Sequence, residues 1–370
     1  MPGTKSIGAK PAPFASRLQP FVDSGVLAGA IAAVANRDGF IAIEVVGLAD
    51  IAAGRPMAQN SLFWIASQSK PFTTTAFMTL VDEGKVSVED PLEKYLPEFA
   101  NLRYVAYEDA DAALLKPVKT PILVRHVLSH TSGLPFSSKL ERPTLDLRPL
   151  RDRVISYTIA PLLFEPGTKY SYSNEGTNTV GRLIEVLSGQ DYEQFLKERI
   201  ITPLGLRDTT FYPNAEQLGR LAKAYKPDPE TGALTEQPID QLLYPLTDPS
   251  RQPMPAGGLF STARDVSIFY RMLLNGGIYD GKRIVSEESL NQATSKQTGE
   301  SVDANYGFGF AADDGSFGHG GAIGTNTSVD RKSKTFTIWM VQHHGYKDDA
   351  GGAINAAFRE GVEEVLANAE

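Results

Sequence analysis

Apolar positions recur at helical spacing from about residue 12 to 27, in PFASRLQPFVDSGVLAG, and predict a helix. The next stretch, AIAAVANRDGFIAIEVVG, predicts two strands that turn at Asp38-Gly39, a strong hairpin signal. A second helix is expected within WIASQSKPFTTTAFMTLVDEG, residues 64 to 84, where Ala76, Phe77, Leu80 and Val81 share one side. Gly84 suits its left-handed C-terminal cap. Pro71 is tolerated only near a helix start, where backbone N–H groups lack intrahelical partners, so Ser67 belongs at or beside the N-terminal, electropositive end.

Between residues 90 and 290 the pattern changes to helical segments separated by many Pro and Gly, among them LVRHVLSHTSGLP, NTVGRLIEVLSG, YEQFLKERI and ARDVSIFYRMLLNGG. Near the C-terminus GTNTSVDRKSKTFTIWMVQHH alternates and turns at its polar centre, and GGAINAAFREGVEEVLANAE closes as an amphipathic helix. The expected fold class is therefore α/β of the α+β type, an antiparallel sheet built from both chain ends and flanked by helices, with an inserted mainly helical lobe. One catalytic unit spans 1–370, with the α/β lobe at about 12–88 and 290–370 and the helical lobe at about 89–289. The cleft between lobes is the natural place for a site.

Composition narrows the classes of function. The 370 residues are 42% apolar, as in an ordinary globular protein. Lys and Arg total 36 against 44 Asp and Glu, and a net charge of −8 argues against nucleic acid or anionic membranes as partners. With no cysteine, disulfides, thiolate metal sites and cysteine nucleophiles are excluded together. No run approaches the roughly 18 apolar residues of a membrane span. The opening MPGTKSIGAKPAPF lacks the apolar core of a secretory signal, which reads as cytoplasmic for the sequence as written, or as periplasmic or secreted if a signal was trimmed.

Candidate chemistry starts with Ser67 and Lys70. Three residues apart on a helix, they lie on one face within contact range. A neutral lysine there could take the hydroxyl proton as the oxygen attacks a carbonyl; a solvated pair at a helix end would share the spacing. Tyr172 and Asn174 stand in PGTKYSYSNEG before a helix. A tyrosine acts as a base only if its pKa falls about three units from 10, worth roughly 4 kcal/mol, which a nearby ammonium could supply. A turn with a half-buried ring is the plainer alternative. His319 lies in the glycine-rich FGHGGAIG, where free N–H groups could bind a developing oxyanion or simply form a flexible turn. GGIYDGKR has Arg283 where a P-loop needs Ser or Thr, and His126 and His130 are i, i+4 but lack the zincin Glu and a third ligand. No GxSxG elbow is present.

Taken in order, SQSK at 67–70, YSN at 172–174 and HGG at 319–321 resemble the three signature elements of the penicillin-recognising serine hydrolases, in particular class C β-lactamases and the related family VIII esterases. LSHTSGL, PAGGLFSTARDV and YGFGF are also typical of that family, and the resemblance spans roughly residues 12 to 365. It implies acyl transfer on Ser67 with Lys70 and Tyr172 sharing the proton traffic: Lys70 holds Tyr172 near the phenolate or acts as base itself. It further implies an oxyanion hole from the N–H groups of Ser67 and Ala322, with Asn174, His319, Gly320 and Gly321 contacting substrate. No cofactor or metal is implied, and the partner is a small-molecule ester or amide.

The departure from the lactamase pattern carries the specificity. The usual Lys-Thr/Ser-Gly is His319-Gly320-Gly321, so a permanent cation and a hydroxyl that would clamp a substrate carboxylate are both missing. Each such charge-assisted bond contributes about 1.5–3 kcal/mol, so penicillin-like acids should bind tens-fold more weakly or worse. The sequence therefore predicts a carboxylesterase for small to medium acyl esters with weak β-lactamase activity. A β-lactamase or D-amino-acid peptidase of the same family, and an idle binding or sensor protein on the same fold, stand as alternatives.

Overall fold

The computed structural model describes residues 12–300 and 302–369. Helix α1 (Pro13–Asp23) leads into β1 (Gly29–Asn36) and β2 (Phe40–Asp50), an antiparallel hairpin closed by the Asn36 N–H donating to Gly39 O, and then a short β3 (Arg55–Pro56). The C-terminal part supplies β4 (Ala311–Ala312), β5 (Ser316–Gly320), β6 (Asn326–Asp330) and β7 (Thr335–Met340), then the last helix, Ala350–Ala367. They join in one seven-stranded sheet of order β4-β5-β6-β7-β1-β2-β3. The seam between the chain ends is the antiparallel pair β1–β7, with Ala33 opposite Ile338.

Both faces of this sheet are covered, which explains why β1 reads as a continuous apolar run without an alternation. Ala30, Ala32 and Val34 pack with Phe14, Leu18, Trp339 and Ile354 beneath the two terminal helices. Ile31, Ala33 and Ala35 face the larger core, which holds Phe72, Phe77, Phe269 and Ile338. Phe72 and Phe269 stack there with ring centroids 3.9 Å apart.

The helix after Ser67, α2 (Ser69–Asp82), is buried on every side from Ser69 to Leu80 rather than on the one expected stripe. Its threonines bond inward, so that Thr79 donates to Ala76 O and Thr73 to Pro255 O. Gly84 follows at φ +69°, the left-handed ending expected of it. The middle of the chain contributes α3 (Asn174–Ser188) and α4 (Ala263–Leu274). It also contains β pairing that the helical reading did not anticipate: hairpins 103–108 with 113–117 and 224–227 with 234–237, and the ladder Phe63–Trp64 with Phe260–Ser261. Strand 113–117 is exposed throughout, so it has no buried face to imprint a period of two on the sequence. Among the described residues no helix is long and apolar enough to cross a membrane.

Candidate active site

Ser67 lies in a single 3-10 turn, Ala66–Gln68, that runs directly into α2. The two-residue ladder Phe63–Trp64 with Phe260–Ser261 presents this turn, and the Ile65 N–H donates to Leu259 O at 3.0 Å. Ala66 takes φ +46°, a left-handed conformation costing a non-glycine residue about 1 kcal/mol or more. Ser69 offsets that strain: its Oγ donates to Ala66 O at 2.7 Å and accepts the Leu259 N–H at 3.1 Å. Ser67 itself stays half-buried, open to a cleft of about 380 Å³.

Lys70 is fully buried. Its Nζ lies 3.2 Å from Ser67 Oγ and donates to Asn174 Oδ1 at 2.8 Å and to Ala256 O at 2.7 Å. Burial pushes its pKa well below the ordinary lysine value. A neutral amine has two N–H bonds and one lone pair. In that neutral form, which burial favours, the hydrogens go to Asn174 and Ala256 and the lone pair is left for the Ser67 hydroxyl. Asn174 reaches this position because α3 begins there, capped by Ser173 Oγ, which accepts the Gly176 N–H at 3.0 Å.

Tyr172 is brought to the same place, with Lys70 Nζ 4.6 Å from its ring centroid. Of the two alternatives expected, a Tyr172 phenolate and Lys70 as the base itself, burial disfavours the first. Burial raises the Tyr172 pKa above its ordinary value, and the neighbouring Ser67 hydroxyl only partly opposes this. The physical reason is twofold: the amine expected to stabilise the anion is itself driven toward neutrality, and it lies over the ring.

His319 occupies β5 and is 8% exposed. Its Nδ1 is 2.7 Å from Gly320 O, an acceptor only, so Nδ1 carries the proton and Nε2 accepts from the Tyr306 hydroxyl at 2.9 Å. Burial lowers its pKa to about 3. Both ring nitrogens are thus engaged inside the protein, in contrast to the substrate contact expected of this side chain. The two glycines after it differ. A Cβ at Gly320 would meet nothing closer than 3.7 Å, whereas one at Gly321 would lie 2.2 Å from Thr325 Oγ1 and 2.7 Å from Ile65 O. Gly321 lets the end of β5 pass against the turn that holds Ser67. That passage sets Ala322 beside Ser67 on the cleft wall, and among the described residues neither backbone N–H has a hydrogen-bond partner.

Sequence reasoning assigned no role to His130, Tyr306 or Ala256. His130, at φ +59°, packs its ring 4.6 Å from those of both Tyr172 and Tyr306 and accepts the Ser173 N–H on Nδ1 at 3.2 Å. HTSGL and YGFGF contain the first two, but only tertiary contact shows what they touch. Ala256 acts through its backbone, which a residue-type search does not register. The rest of the cleft wall is apolar at Trp64, Phe136, Leu145 and Met254, with Arg142 and Asp240 at its exposed side.

The Beta-lactamase family model matches residues 14–359. The chain belongs to this family, whose members are serine hydrolases that include esterases and carboxypeptidases. Protein Rv1367c of Mycobacterium tuberculosis is 30% identical over 361 residues, covering 87% of each chain. Esterase EstB of Burkholderia gladioli is 32% identical over 216 residues, covering 54% of this chain and 52% of that one. Among solved structures, EstCE1, described as a hydrolase with promiscuous acyltransferase activity, superposes with a TM-score of 0.76 at 24% identity, covering 94% of this chain and 98% of that one. At that identity the likeness speaks for the fold.

Proposed function

We propose that this member of the family is a carboxylesterase for small to medium acyl esters, working through an acyl-enzyme on Ser67. The observation that carries the ester preference is His319: where a lactamase-type site would hold a cation for a substrate carboxylate, this imidazole is buried, neutral and bonded at both nitrogens. In the reaction, Ser67 Oγ attacks the ester carbonyl carbon while its proton moves to Lys70 Nζ. The carbonyl oxygen, now anionic, is held by the N–H groups of Ser67 and Ala322, each such donor contributing on the order of 3 kcal/mol to the barrier. The protonated Lys70, directly or through the Tyr172 hydroxyl, returns the proton to the departing alkoxide. Water then repeats the sequence on the acyl-enzyme, releasing the acid and free Ser67.

Short p-nitrophenyl esters and a chromogenic cephalosporin, assayed side by side, test this reading. Ester turnover well above lactam turnover is expected, with an acyl adduct on Ser67 in intact-mass spectra that Ser67→Ala lacks. Lactam turnover far above ester turnover would reverse the assignment.

A further inference from the structure

A buried polar chain runs from Glu141, on the cleft wall, through Asn178 and Ala256 to Lys70. The segment Pro255–Gly257 is tied at four of its backbone polar groups. Pro255 O accepts from Thr73 Oγ1 at 2.8 Å, the Ala256 N–H donates to Asn178 Oδ1 at 3.1 Å, Ala256 O accepts from Lys70 Nζ at 2.7 Å, and Gly257 O accepts from Trp64 Nε1 at 2.7 Å. The second of these ties depends on which way the Asn178 amide is turned. Asn178 Nδ2 donates to Glu141 Oε1 and to the Tyr157 hydroxyl, both at 3.0 Å, and Tyr157 donates to the same carboxylate oxygen at 2.7 Å. A carboxylate only accepts, so Glu141 forces the amide NH2 toward itself and the amide oxygen toward Ala256. Glu141, Tyr157 and Asn178 are each at most 2% exposed. Arg153 balances the carboxylate from 3.8 Å, and the Ser138 N–H donates to Glu141 Oε2 at 3.0 Å.

We infer that Glu141 and Asn178 are positioning residues for Lys70: by fixing the Ala256 backbone they aim the Nζ lone pair at Ser67. The inference rests on the proposed role of Lys70 as proton acceptor. Ala256 O is one of the two acceptors that occupy the amine hydrogens, and releasing it frees Nζ to rotate away from the serine. Misplacement of a reacting group by about 1 Å can lower a rate 100-fold. The other groups facing Nζ that titrate are Tyr172, His130 and His319; burial holds both imidazoles neutral, so neither supplies a competing charge.

The test uses p-nitrophenyl acetate and three variants of the full chain. Asn178→Leu is expected to lower kcat roughly 10–100-fold with KM within about threefold. It should also move the pH limb of kcat/KM that reports Lys70 to lower pH, because a lost acceptor disfavours the ammonium. Tyr157→Phe, which keeps the ring in place, should shift both quantities in the same direction by less, and it decides the matter if Asn178→Leu does not fold. Folded variants with wild-type kcat and an unmoved limb, alongside an inactive Ser67→Ala, would remove the positioning role and leave the esterase reading standing. Wild-type turnover in Ser67→Ala would remove that reading, and with it the role assigned to the network.

Discussion

Lys70, at the head of α2, and His319, on β5, are both buried nitrogen bases beside the same cleft, and burial drives both toward their neutral forms. They differ in what is left over. A neutral Lys70 places its hydrogens on Asn174 and Ala256 and has its lone pair left toward Ser67; His319 uses its proton on Gly320 O and its lone pair on Tyr306. Desolvation alone therefore does not make a base. The surrounding hydrogen bonds decide whether a neutral nitrogen faces the substrate or the protein interior.

The largest break in this comparison should come from the amine. Lys70→Met keeps the volume and removes the lone pair, and kcat for ester turnover should fall about 1,000-fold or more, measured against an unchanged far-UV spectrum. His319→Ala, by contrast, should cost less than about tenfold in the same assay. The glycines beside His319 sharpen the contrast. Gly321→Ala, whose Cβ would collide with Ile65 O behind the nucleophile, should lose about 100-fold in kcat, while Gly320→Ala should stay within a few-fold.

Stability separates buried groups by sign. Glu175, near Glu141, has a pKa raised to about 9 by burial and then by the Glu141 charge. Its folded value lies above its unfolded one, so the folded state holds the extra proton and stability declines as pH rises from about 4.5 to 9. Glu175→Gln should flatten that decline and stabilise the protein by roughly 2 kcal/mol at pH 8, read by denaturant unfolding. For His319, lowered to about 3, and for His126 and His343, lowered to about 4, the unfolded chain binds the extra protons. Stability should then fall as pH drops from about 6.5 toward 4, by roughly 1–2 kcal/mol for each imidazole. A melting temperature of Glu175→Gln, which lacks the opposing carboxyl, that stays flat between pH 7 and 4.5 would contradict the neutral assignment of these rings.

Much of the sheet could be read from the chain because its signals are local. The Asp38-Gly39 turn, the polar DRKSK turn and the left-handed Gly84 are decided by residues adjacent in sequence. Harder to read were the hairpin at 103–117, whose second strand is exposed throughout, and the short ladder Phe63–Trp64 with Phe260–Ser261, whose pairing joins residues about 200 apart. In the site, Ser67, Lys70, Tyr172 and Asn174 stood out because their side chains advertise chemistry. Ala256 could not, since its contribution is a carbonyl that every residue possesses.

By itself, the amino-acid sequence determined the terminal helices and the hairpins of the main sheet, the order of the three motifs and the absence of a permanent cation at position 319, because each depends on residue type and short spacing. Only the tertiary structure decided the direction in which burial shifts Lys70, Tyr172 and His319 and the way each one faces. Those depend on how much water packing excludes and on which distant backbone groups claim each hydrogen and lone pair, and neither quantity is written in any local stretch of the chain.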